Sequence, residues 1–230
     1  TSEVEPAFVG TVTDFSGGSP YYVKELLDRL VQDGTLVHDR GRWNTGDELT
    51  PEKLPKNLKG LLVRKITSLS PTAQALARIG AVVGEAFDLD LLAAVTRLPD
   101  EELFAAMELL ALTKVFELHE DERYRFAQDQ LRDTLYDTIG ASERAFAHTA
   151  VATELERRLD GRPLADAPLA TITAIASHYM AGGDAPRTIA TAIEAGRALT
   201  RFYALTDAQR FLEAGLALLR EADRAAGAEA

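Results

Sequence analysis

The chain has 230 residues, 46% of them apolar, and a formal net charge of −11 from 36 acidic and 25 basic side chains. That length and apolar share suffice for two or three small cores. The charge disfavours phosphate backbones and anionic lipid surfaces as partners, and the absence of cysteine excludes disulfides, thiolate metal sites and cysteine nucleophiles together.

Apolar runs such as Ile79 to Val83 and Leu109 to Leu112 are far shorter than the roughly 20 residues of a bilayer span. No basic-then-apolar stretch precedes them, so a cytoplasmic protein with no membrane partner is expected. Thr1 rather than Met opens the sequence and a helical pattern follows at once, as expected of a piece of a longer chain.

Pro6 to Phe15 is weakly helical, and Ser16-Gly17-Gly18-Ser19-Pro20 then breaks the pattern. Pro20 suits the first turn of a helix in which Val23, Leu26, Leu27, Leu30 and Val31 recur at helical spacing and which Gly34 closes. Residues 35–38 and 42–45 flank Asp39-Arg40-Gly41, which predicts a short hairpin with Trp43 packed on the preceding helix. Leu58, Leu61, Leu62, Ile66 and Leu69 predict another amphipathic helix.

Ser70 as N-cap and Pro71 at the first helical position begin three short helices, Ala73 to Val83, Asp88 to Val95 and Asp100 to Leu112. Lys114 to His119 and Arg123 to Ala127 bracket the acidic tip Glu120-Asp121-Glu122 as a second hairpin. A helix from Asp129 to Ile139 follows, with Asp129 read as its N-cap. Three helices and a hairpin spell a winged-helix arrangement. Beyond Ser142 every periodic segment is helical: Glu143 to Leu159, Leu169 to Ala181, Pro186 to Arg201 and Leu205 to Ala222. The expected fold is therefore mainly α. A helical lid with a short hairpin spans 1–69, a winged-helix subdomain 70–140, and an antiparallel, tetratricopeptide-like helix array 141–230.

Catalytic constellations are missing from the sequence. It has no Gly-x-x-x-x-Gly-Lys-[Ser/Thr] loop, no Gly-x-Gly-x-x-Gly after a strand, no His-Glu-x-x-His and no Gly-x-Ser-x-Gly. The four histidines, His38, His119, His148 and His178, lack metal-ligand spacing and read as structural or surface residues. The pairs Glu101-Glu102 and Asp121-Glu122 sit at a helix start and a hairpin tip, where carboxylates favour the helix dipole or face water. No catalytic or metal-binding residue is assigned, and no enzyme activity is expected of this chain.

A winged helix invites a DNA-binding reading, in which its third helix presents basic and polar groups to the major groove. Here that helix begins Asp100-Glu101-Glu102 and has no Lys or Arg between Leu98 and Lys114. Both groove-facing elements are acidic, so nucleic acid is disfavoured as a partner.

Three segments in order carry a family likeness: Ser16-Gly17-Gly18-Ser19-Pro20-Tyr21-Tyr22-Val23-Lys24-Glu25-Leu26-Leu27, then Leu54-Pro55-x-x-Leu58, then Arg125-Phe126-Ala127-Gln128-Asp129-Gln130-Leu131-Arg132-Asp133-x-Leu135-Tyr136. The sequence resembles the STAND signalling ATPases of bacteria, in the branch with maltose-regulator-like, kinase-linked and cyclase-linked members. The likeness covers nearly the whole chain, as the region after the nucleotide-binding core. It implies that Gly18 and Pro20 lie against the adenine of ATP or ADP held by an upstream core in cis. It further implies that the pair at Gln128 and Asp129 lies near the nucleotide's phosphates. Gln128 departs from the histidine usual there, leaving an amide donor in place of a ring nitrogen.

In the last array, Gly196, Leu199, Ala208, Leu212 and Gly215 fall where a tetratricopeptide repeat places its small and large residues. Such an array is expected to receive a partner protein or signal ligand, and the resemblance implies nucleotide-driven homo-oligomerisation of the parent protein. The expected function is the regulatory and interaction portion of a signal-transduction ATPase. A stand-alone tetratricopeptide-type adaptor and a winged-helix transcription regulator are the two alternatives.

Overall fold

The computed structural model describes residues 9–10, 12–13, 20–39, 42–45 and 58–228. Gly18, the turn at Gly41 and most of the helix expected from Pro6 to Phe15 lie outside the described residues. The chain divides into two compact units, Thr1–Leu69 and Ser70–Ala230. It is mainly α, with ten α-helices and two two-stranded antiparallel ribbons among the described residues. None of the described helices is long and apolar enough to cross a membrane.

In the first unit, α1 (Pro20–Gln32) opens on the proline, whose fixed φ suits a first turn. It buries Leu26 and Leu30, four residues apart on one face, against Leu36 and Val12. Gly34 has φ +70°, a left-handed conformation that glycine adopts without steric cost, and it turns the chain into the hairpin. Strands β1 (Leu36–Asp39) and β2 (Arg42–Thr45) pair with Leu36 opposite Thr45 and His38 opposite Trp43. The expected packing of Trp43 on the preceding helix is corrected here. Its indole lies 4.8 Å from the His38 ring across the ribbon and is 40% exposed. Side chains directly opposite on one face of a ribbon meet each other before they reach a helix. Helix α2 (Leu58–Thr67) is joined to α1 by Lys65 and Glu25 at 3.0 Å.

The second unit begins where the sequence places a cap. Ser70 accepts a hydrogen bond from the Ala73 amide at 3.2 Å, and Pro71 is the first residue of α3 (Pro71–Val83). Asp88 caps α4 (Leu89–Thr96) by accepting from the Leu91 amide at 2.7 Å. Helix α5 (Asp100–Leu112) leads into β3 (Phe116–Leu118) and β4 (Tyr124–Phe126), in which Phe116 faces Phe126. An isolated bridge joins Phe87 to Tyr124, adding the α3–α4 connection to this ribbon.

Phe87, Phe116 and Phe126 form the aromatic centre beneath, with edge-to-face rings 4.9 Å apart on either side of Phe116. Gly80 of α3 admits this cluster, since a β-carbon there would stand 2.8 Å from the Phe116 ring.

Helix α6 (Asp129–Thr138) and α7 (Ala141–Arg157) follow. Val82, Ile139, Ala147 and Val151 share one buried cluster, so segments 70–140 and 141–230 meet in a common core. A 3-10 turn at Leu164–Asp166, unforeseen in the sequence, precedes α8 (Leu169–Gly182), α9 (Ala185–Arg201) and α10 (Leu205–Ala228). These helices pack in antiparallel, hairpin-like succession. Gly183 ends α8 at φ +75° and Asp184 caps α9 through the Arg187 amide, so one Gly-Asp pair both stops and restarts the chain.

Candidate functional site

The turn between β4 and α6 carries Gln128 and Asp129. Gln128, not Asp129, occupies the N-cap position. Its backbone is extended, its carbonyl accepts from the Leu131 amide at 3.1 Å, and its side chain makes no capping hydrogen bond. The reading of Asp129 as the cap is thereby corrected: it is the first helical residue, 80% exposed, with its carboxylate 3.7 Å from Arg132. An acid one position inside the helix still meets the positive end of the dipole, which is why the sequence suits either register. Arg132 also donates twice to Asp133. The backbone of the half-buried Gln128 is thus held by the helix start, and its side-chain amide is not spent on the helix terminus. Pro20 heads α1 in the other unit, with its ring exposed, and Gly18 lies outside the described residues.

Helix α5 and the ribbon present an acidic and apolar surface. Glu101, Glu102 and Glu108 are exposed, as are Phe104 and Leu112 on the helix and Leu118 on β3. No basic residue interrupts them on α5.

The helical array supplies grooves. One, of about 700 Å³, is walled by Leu169, Thr173 and Ser177 of α8 and by Asp207, Arg210 and Phe211 of α10, with Glu85 at its rim. A second, of about 610 Å³, has Gly196 in its floor between Ile193, Arg197, Arg201 and Leu212.

Ion pairs fasten the array to the helices before it. Arg158 at the end of α7 donates to both oxygens of Asp88, at 2.9 and 3.1 Å, and to Glu154 at 3.2 Å. Burial works to raise the Asp88 carboxyl, but the Arg158 hydrogen bonds and the Leu91 amide outweigh it and hold the group below the usual carboxylate range. Glu154 is held low by its hydrogen bonds to Arg157 and Arg158, against the opposing effect of burial. Deeper in the array, the fully buried Tyr179 donates to Glu156 at 2.6 Å. Burial and that carboxylate push the phenol up, while the Arg187 guanidinium, also on its oxygen, opposes them.

One grouping escaped the sequence. His148 of α7 and His178 of α8, 30 residues apart, are both buried with their Nδ1 atoms 2.8 Å apart. Tyr136 Oη lies 2.8 Å from His148 Nε2, and His178 hydrogen-bonds the Val83 backbone. Two residues separate α6 from α7, but nothing in linear spacing announces the contact with α8. The only signal available was that both histidines lie on apolar helix faces. No group of three or more His, Asp or Glu side chains placed to hold a metal ion occurs among the described residues.

No family model matches the chain, and no curated protein or solved structure matches it significantly.

Proposed function

We propose that this chain is the regulatory and protein-interaction portion of a STAND-type signalling ATPase, holding an upstream nucleotide core in an off state and receiving its signal on the helical array. The observation that carries the reading is the common core of Val82, Ile139, Ala147 and Val151. Through it, the segment bearing Gln128 is packed directly against the first helices of the array. A signal that reorients α7 and α8 is then felt at α6 without a flexible linker between.

The order of helix, bridge, two helices, ribbon and helix in 70–140 supports the winged-helix reading. The acids and exposed Phe104 and Leu112 of its third helix suit a protein surface better than a phosphate backbone. The alternation of Gly196 and Gly215 with Leu199 and Leu212 supports the tetratricopeptide-like reading of α9 and α10. Gln128 favours a nucleotide-facing role over a structural one because its amide is not used to cap α6.

In this reading ATP exchange upstream releases the clamp and permits assembly. The chain itself holds no phosphate loop and is not an enzyme. Titration calorimetry of the chain with ADP and with ATP tests the division of labour. No tight binding is expected, and submicromolar binding by the chain alone overturns it. The adaptor alternative is favoured by the array grooves alone, and it differs in requiring no nucleotide core upstream.

A further inference from the structure

We propose that the Tyr136–His148–His178 chain is a proton-operated latch, closed while the two imidazoles share at most one added proton and opened when both are protonated, the inner ring, His178, last. The inference stands on the second unit alone and does not depend on the ATPase reading.

With the Val83 backbone as an acceptor, one set of tautomers serves all the contacts. His178 hydrogen-bonds the Val83 backbone, and that contact favours its protonated form, as a carbonyl acceptor does. A neutral imidazole carries one N–H, so a His178 that donates to Val83 leaves its Nδ1 as an acceptor. His148 Nδ1–H must then donate across the 2.8 Å gap, which frees His148 Nε2 to accept from the Tyr136 hydroxyl at 2.8 Å. Every polar atom in the chain is thereby satisfied. The bonds run from α6 through α7 and α8 back to the end of α3.

A first proton breaks nothing. It enters at His148 Nε2, the Tyr136 hydroxyl rotates to accept instead of donate, and a shift along the Nδ1···Nδ1 bond between the rings still leaves one N–H shared by them. A second proton puts an N–H on both Nδ1 atoms, so that two donors face each other and the link between α7 and α8 breaks.

The surroundings oppose either charge. Arg144 of α7 stacks over the Tyr136 ring at 4.7 Å and repels a cation on His148. From α3, Arg78 is turned to Glu143 on the surface. From α4, Asp90 lies at its first turn, and Asp88 ahead of it is held by Arg158. From α6, Arg132 is engaged with Asp133, and the exposed Asp137 is itself engaged. From α9, Arg187 is engaged with Glu156. Burial, then the neighbouring ring, lowers His178 to about 4 against the Val83 contact. A depressed histidine leaves stability intact above the unfolded value near 6.5. Stability is then lost as pH falls from about 6.5 to about 4, and the latch of the folded chain opens at the low end of that window, where His178 takes up its proton.

Imidazole ¹⁵N spectra of the full 230-residue chain, with hydrogen exchange corrected for its intrinsic pH dependence, test this. His178 is expected to keep its Nε2–H tautomer until the pH approaches 4, and amides of α6 and α8 are expected to exchange at least tenfold faster at pH 4.5 than at pH 6.5 while α10 stays protected. His178→Asn should abolish that local increase. Tyr136→Phe, which removes the hydroxyl that donates to neutral His148 and accepts from its more strongly bonded protonated form, should lower the titration of His148 and leave the His178 tautomer in place. Titration of His178 near the ordinary imidazole value of about 6.5, persistence of the local opening in His178→Asn, or equal acid exposure of α10 would each overturn the latch.

Discussion

Gly196 of α9 and Leu212 of α10 are in such close apposition that a β-carbon on the glycine would stand 2.5 Å from the leucine Cγ. Two helices can approach this closely only where one of them carries no side chain. Gly215, one turn further along α10, meets Ala192 instead, at 3.4 Å from an added β-carbon, which is ordinary contact.

The two glycines therefore predict opposite outcomes for the same substitution. Gly196→Ala forces the hairpin apart and costs about 1–2 kcal/mol, because overpacking of roughly 1–3 kcal/mol exceeds the helix propensity gained, up to ~1 kcal/mol. Gly215→Ala meets no clash, keeps the propensity gain and is neutral or stabilising by up to ~1 kcal/mol. Urea unfolding midpoints of the two variants check this. Equal effects would remove the close-packing account of the hairpin.

Asp88 has two tasks, capping α4 and holding Arg158. Asp88→Ala loses both and is expected to cost about 1–2 kcal/mol, mostly as a lost cap, with a smaller contribution from the partly exposed ion pair. Asp88→Asn keeps a capping oxygen and loses the charge, so it should cost less. The carboxyl is lowered in the folded chain, so its contribution is present above the unfolded value and is lost as pH falls through the folded value, below 3.8. Thermal midpoints followed from pH 6 to pH 2 should show wild type losing this contribution at the acid end and Asp88→Asn lacking that loss.

Gln128→Ala should leave the stability of the chain within about 0.5 kcal/mol of wild type, since the side chain makes no cap bond and surface changes away from such features are near neutral. Under the proposed function the same change speeds ADP release from the parent protein. Differential scanning calorimetry of the chain and stopped-flow release of a fluorescent ADP from the parent separate the two effects. A large loss of stability would make Gln128 a structural residue.

Duplex DNA should not be retarded by the chain even at low salt, where phosphate contacts are strongest. The exposed Glu101, Glu102 and Glu108 on α5 and the acidic tip of the ribbon supply the reason. A salt-sensitive shift with unrelated duplexes would restore the transcription-regulator reading.

Local signals made most helices readable. The Ser70-Pro71 start acts within a few residues and the structure keeps it, while Asp88, read as the first helical residue, is the cap one place earlier. The register at Asp129 was misread because an acid is favourable both as a cap and in the first turn, and only the backbone angles of Gln128 decide between them. Trp43 was misplaced because hydropathy reports that a ring seeks cover without saying which neighbour gives it. The His148–His178 contact was invisible because it depends on how α7 and α8 cross, which side-chain packing settles after the helices exist. Of the candidate site, the sequence supplied Gln128 and the small residues of the array but none of the ties between them.

The most direct test of the central proposal is the nucleotide content of the parent protein, purified without added nucleotide and analysed by ion-pair chromatography after denaturation. The account predicts close to one ADP per chain, retained by wild type and depleted when residues 70–140 are deleted. A parent without bound nucleotide, or one whose ADP is equally retained after that deletion, would contradict it.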